Sequence, residues 1–91
     1  METKVKSFNL SREQEEIAVR LYEENKKRIG TYTLEDVDGE MANIWISEAH
    51  ANGEEDYAEF LREANANGAE LYTLTDHLGE FSQPIGEIAF W

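Results

Sequence analysis

Glutamate recurs at every fourth position of "EEDYAEFLREA", as Glu55, Glu59 and Glu63. On a helix that spacing sets the carboxylates in one row, with neighbouring Cβ atoms about 5–6 Å apart and a repulsion of about 0.2–0.5 kcal/mol per pair. A second group, Glu35, Asp36, Asp38, Glu40, Asp76 and Glu80, crowds two segments that read as hairpin turns. An ordinary solvated surface tolerates such repulsion. A carboxylate array can also recognise a cationic surface, because regularly spaced negative charge imitates the phosphates of a nucleic acid and fits a basic groove. The candidate partner-binding surface comprises Asp36, Asp38, Glu40, Glu48, Glu55, Asp56, Glu59, Glu63, Asp76 and Glu80.

Other chemistries find little in the chain. His50 and His77 are its two histidines, and neither sits in a metal-binding spacing or beside a nucleophile motif. Both read as surface or turn residues. The stretch "EDVDGE" alternates oxygen ligands as a calcium loop does, but counting from Asp36 the sixth position, where such a loop needs glycine, is Met41. The corresponding later stretch has Leu78 in place of Asp38, which argues against a repeated metal site. There is no cysteine, so disulfides, thiolate metal sites and cysteine nucleophiles are excluded. No glycine-rich phosphate loop is present. Trp45, Phe90 and Trp91 could stack on bases, but with few cations nearby they read as core or as a partner-binding edge. The expectation is a non-enzymatic protein with no cofactor, no metal and no catalytic residues.

Charge narrows the partner. The formal net charge is −12 over 91 residues, and it is unevenly placed. Residues 1–28 hold seven cations against six acids, a balance of +1, whereas residues 29–91 hold Arg62 against fourteen acids, a balance of −13. Direct binding to nucleic acid is not expected, since it depends on Lys and Arg displacing counterions. A basic nucleic-acid-binding protein is the complementary partner. The opening "METKVKSFNL" lacks the continuous apolar stretch of a signal peptide, and no segment is apolar enough to span a bilayer. A cytoplasmic location in the host cell, away from membranes, is the expectation.

The elements that must position these residues are read from capping and periodicity. "KVKSFNL" reads as a strand. A helix follows, with Ser11 at its N-cap, Gln14 completing a capping box, and Ala18, Leu21, Tyr22 and Ile29 as its apolar stripe. Gly30 is expected to end it. "TYTLEDVDGEMANIWISEA" fits either a helix or a hairpin; Gly39 and the repeat described next favour the hairpin. "GEEDYAEFLREANANG" is a second helix, with Tyr57, Phe60, Leu61 and Ala64 as its stripe. "AELYTLTD", a turn region containing Gly79, Pro84 and Gly86, and a final strand "EIAFW" complete the chain.

A shift of forty positions aligns residues 15–40 with 55–80 at eleven identities, including "YTLEDVDGE" over "YTLTDHLGE". The reading is one domain, residues 1–91, with repeat units of about 11–48 and 54–91, each a helix, a strand and a strand. The expected class is α+β, of order β-α-β-β-α-β-β, with the helices on one face of a mostly antiparallel sheet.

"ANIWISEA" and "AELYTLTDHLGEF" also resemble segments of the ArdA-type antirestriction proteins, through Trp45, Ile46, Ala49, Ala69, Glu70 and Asp76. Thr75 stands where that family has His, and an extra residue splits the Trp-Ile-Asp-Ala match. The resemblance implies a strand that runs through Trp45 and Ile46 to Ala49 before a helix, and inhibition by DNA mimicry. Charge and resemblance together lead to the expectation of a phage or mobile-element inhibitor, antirestriction or anti-CRISPR, that blocks a defence nuclease or effector complex. Two alternatives stand beside it: an immunity protein or antitoxin that neutralises a basic nuclease toxin, and a homodimeric structural module that joins sheet edges through "EIAFW".

Overall fold

Leu71 to Thr75 form an unbroken run of buried and half-buried residues, and so do Ile85 to Trp91. Strands of this kind have no solvent face and must be covered on both sides. The computed structural model describes residues 4–91 and shows that cover. The first three residues of the expected 1–91 domain lie outside the described part. The order is β1 (Val5–Phe8), α1 (Arg12–Glu23), β2 (Tyr32–Val37), α2 (Gly39–Ala51), α3 (Glu55–Ala66), β3 (Glu70–Leu78) and β4 (Phe81–Phe90). The strands form one antiparallel sheet in the order β1-β4-β3-β2. The α+β class is as expected.

Consecutive residues of a strand point to opposite faces. Leu74, Ile88 and Phe90 pack with Ala18 and Leu21 of α1, whereas Leu71 and Ala89 pack with Leu61 and Ala64 of α3 and Ala42 of α2. The helices therefore do not share one face of the sheet, as the sequence reading had it. Helix α1 covers one face, and the α2–α3 pair covers the other. Leu21, Leu61, Leu74 and Ile88 are the largest side chains with no appreciable exposure, and truncating a residue of this kind to Ala typically costs about 2–5 kcal/mol.

The capping box at the start of α1 forms as expected. Ser11 Oγ accepts from the Gln14 N–H at 3.1 Å, and Gln14 Oε1 accepts from the Ser11 N–H at 2.9 Å. The helix stops at Glu23, earlier than expected, because Asn25 takes the left-handed conformation (φ 51°) that ends it. Gly30 instead opens a two-residue turn closed by paired hydrogen bonds between Ile29 and Tyr32.

The largest correction concerns residues 39–51, which form α2 and not the second strand of a hairpin. The first repeat unit is thus helix, strand, helix, and the order is β-α-β-α-α-β-β. The two copies of "YTLxD" do become strands, and they pair antiparallel with Leu34 opposite Leu74. They part at the next residues. Asp38 Oδ1 accepts from the Met41 N–H at 2.8 Å and caps α2. Leu78, its counterpart, cannot cap a helix, and Gly79 (φ 64°) turns the chain back into β4. The turn thus lies at Gly79 and Glu80, and β4 begins at Phe81 and runs through Pro84. A register shift there skips Ile85, and Pro84 lies beyond the last residue paired with β1, where its missing N–H costs little.

Asp38→Leu, which makes the first copy resemble the second, should destabilise the protein by about 1–2 kcal/mol, whereas Asp38→Asn should cost only a few tenths. Chemical denaturation followed by circular dichroism measures both. Equal losses for the two variants would show that the cap does not hold α2.

Candidate functional site

The sheet separates the ten candidate acids. Asp38 caps α2, Glu40 and Glu48 lie near its two ends, and Glu55, Asp56, Glu59 and Glu63 lie along α3. These seven share the α2–α3 layer. Asp36 is exposed on β2, on the α1 side, in register with Tyr72. Asp76 pairs in register with Tyr32 on that same side, and Glu80 sits in the β3–β4 turn. Because the two copies run antiparallel, their acidic ends point to opposite ends of the strand pair and never crowd together.

Nor are all seven acids of the layer free. Glu63, half-buried, accepts from Lys6 Nζ through both oxygens at 2.8 and 2.9 Å, and Lys4 Nζ lies 3.8 Å away. The Lys6 hydrogen bond, partly opposed by desolvation, holds the Glu63 carboxyl below the usual carboxylate range. Glu55 faces His50 Nδ1 at 2.6 Å and Arg62 at 3.9 Å. Glu40, Glu48, Asp56 and Glu59 are exposed, and no described cation pairs with them.

The opposite layer differs in kind. Residues 12–28, which include α1, hold five cations and five acids, whereas residues 38–66 hold Arg62 against eight acids. Adding Lys4 and Lys6, which lie against Glu63, still leaves three cations against eight acids, a balance of −5. The two helix layers thus differ in charge, balanced over residues 12–28 and strongly negative over residues 38–66, while Asp36, Glu70 and Asp76 add negative charge to the α1 side of the sheet.

Both histidines have local partners. His50 ends α2 beside Glu55, and His77 sits within β3, between the hydroxyls of Thr33 and Ser82, each at 2.7 Å. Trp45 and Trp91 are half-buried against the α2–α3 side of the core, and Phe90 is buried on the other. Residues 87–90 of "EIAFW" pair with β1 on one side and β3 on the other, so this strand offers no free edge for joining two copies. No His, Asp or Glu cluster suited to a metal occurs among the described residues, and no described helix is long and apolar enough to cross a membrane.

Sequence reading missed Glu87. It lies in β4 between Phe8 and Thr73 in register, facing α3, and accepts from Tyr57 Oη at 2.5 Å. Its signal was a lone acid opening the apolar run of the last strand. Burial pushes its carboxyl above the usual carboxylate range, an effect that the Tyr57 hydrogen bond partly offsets. Burial, followed by the hydrogen bond to Glu87, also raises the Tyr57 phenol. On the other face Tyr22 donates to Glu70 and stacks on Phe90 at 3.9 Å; that hydrogen bond, followed by burial, raises its phenol to about 12. Asp76 keeps one carboxylate oxygen buried without a hydrogen-bond partner, as does the Thr73 hydroxyl.

Compared with known protein families, curated proteins and solved structures, the chain matches none. Trp45 and Ile46 lie inside α2, so the strand implied by the ArdA-type resemblance is absent.

Glu87 gives a pH prediction. A carboxyl raised in the folded state binds more protons there than in the unfolded chain, so its penalty is absent below the ordinary value of 4.5 and grows as pH rises through the folded value. Glu87→Gln keeps an acceptor for Tyr57 and should raise Tm at neutral pH, with the gain vanishing as the pH falls below the ordinary carboxylate value. Calorimetry across that range measures it; a variant less stable than the parent at neutral pH would contradict the assignment.

Proposed function

We propose that the protein is a small non-enzymatic inhibitor that blocks a nucleic-acid-binding host defence protein, a restriction enzyme or CRISPR effector, by presenting its α2–α3 face in place of DNA. A phage or other mobile element is the natural source of such an inhibitor. The observation that carries the reading is the difference in charge between the two helix layers, balanced over residues 12–28 and strongly negative over residues 38–66. A solubility role would not require one helix layer to carry so much more of the negative charge.

Two helices packed side by side hold these acids on rigid elements, with Glu55, Glu59 and Glu63 of α3 four residues, about 6 Å of helix rise, apart and Glu40 and Glu48 of α2 eight residues apart. A basic groove that normally neutralises phosphates would gain the same attraction from this face, with fast association and marked salt dependence. Of the ten candidate residues, Glu40, Glu48, Asp56 and Glu59 contribute most to this reading. Asp38 is committed to the cap, Glu63 to Lys6 and Glu55 to His50. Asp36, Asp76 and Glu80 lie away from the face and drop out of it.

Charge reversal tests the reading. Glu40, Glu48 and Glu59 changed together to Lys should leave the fold intact and weaken binding to the target nuclease, and its inhibition, by at least about a hundredfold. Glu63 is left in place, because a lysine there would face Lys4 and Lys6. Reversing Glu13, Glu16 and Glu23 on α1 should cost less than about tenfold. An equal or larger effect from the α1 set would overturn the assignment of the α2–α3 face.

A further inference from the structure

We propose that the groove between the end of β1, the α2–α3 turn and β4 seats an arginine side chain of a basic partner protein. The groove encloses about 540 Å³, room for a side chain rather than a domain. Its apolar lining comes from Phe8, Tyr57, Pro84 and Ile85, and the Phe8 and Tyr57 rings lie 5.0 Å apart at a tilt of 35°. Glu87 lines it half-buried, with Tyr57 as its hydrogen-bond donor and no described cation beside it. Glu54 and Asp56 line it as exposed carboxylates, equally without a described cation. No Lys, Arg or His contributes to the lining.

The chemistry selects the guanidinium. A planar, weakly hydrated cation can lie against aromatic faces and donate to carboxylates through two N–H groups at once, which an ammonium cannot do. Glu87 supplies the partly desolvated acceptor, where a charge-assisted bond is strongest, and the exposed acids draw the cation in. An anion is disfavoured despite the nearby start of α3, because Glu54, Glu55 and Asp56 already place negative charge at that end of the helix. The inference rests on the proposed inhibitory reading for the nature of the partner, and it adds one anchoring group to the diffuse attraction of the acidic face. Arginine contacts of this kind are common among the residues that dominate interface energies.

The test needs no partner protein. Nitrogen-15 NMR of the full chain, titrated with N-acetyl-arginine amide, should show saturable shifts confined to the amides around Gly53, Asp56, Tyr57 and Glu87, with millimolar affinity. N-acetyl-lysine amide should bind at least about tenfold more weakly, and the neutral isostere N-acetyl-citrulline amide should leave the spectrum unchanged. Glu87→Gln and Asp56→Asn should each weaken arginine binding, the first by about tenfold or more. Equal binding of citrulline or lysine, unchanged affinity in Glu87→Gln, or shifts that spread over α2 without saturating would each overturn the proposal. Such a failure would leave charge reversal on α2 and α3 to decide the inhibitory reading separately.

Discussion

Burial of β3 and β4 on both faces is the constraint on which the rest of the molecule depends. Leu74, Ile88 and Phe90 need a partner layer on one side, and Leu71 and Ala89 need one on the other. A single helix suffices for the first. The second is covered by two helices joined through a short turn, and Ala42 of α2 and Leu61 and Ala64 of α3 pack in one cluster with Leu71 and Ala89. The same arrangement sorts the charge. The balanced segment, residues 12–28, lies on one side, and residues 38–66, with Arg62 against eight acids, lie on the other.

One residue directs the two copies of the repeat apart. Through "YTL" and the Asp two positions later they follow the same course, strand beside strand. Asp38 then offers an acceptor to the Met41 N–H and a helix begins, whereas Leu78 offers none and Gly79 turns the chain back. The stability at stake in a cap is small, about 1 kcal/mol, yet with tertiary packing it accompanies the choice between a third helix and a fourth strand. Gly86 completes the arrangement at the other end of the sheet. A Cβ there would lie 2.5 Å from the Phe8 carbonyl oxygen and 2.7 Å from Leu10, so the chain leaving β1 can approach β4 only over a glycine.

What could be read in the sequence follows the range of the interactions concerned. The capping box of α1 and the apolar stripe of α3 are local signals, and both appear where the spacing places them. Helix α2 was one of two readings its segment allows, and Gly39 and the repeat weighed toward the hairpin. Ala42 and Ala49 are buried, Trp45 and Ile46 half-buried, and Met41 and Ile44 exposed, so the helix seats itself on small alanines rather than on its large apolar residues. The division of helices between two faces depends on contacts distant in sequence, and the sequence of β3, with Thr73 and Thr75 between its apolar residues, shows no unbroken apolar run that would reveal it. At the acidic surface, residue types gave the sign of the charge but not which carboxylates remain unpaired. Lys6 reaches Glu63 across 57 positions, and the separation of Asp76 and Glu80 from Asp38 and Glu40 follows from antiparallel pairing.

On the proposed reading, the unpaired acids on α2 and α3 and the aromatic groove beside them together form a recognition face for cationic chemistry. The most direct measurement is affinity capture on the immobilised protein from a bacterial lysate, with bound protein identified and challenged with salt and with duplex DNA. The account predicts a nucleic-acid-binding protein that is retained at low salt and released both by high salt and by competing DNA. A specific partner that stays bound under both challenges would contradict it.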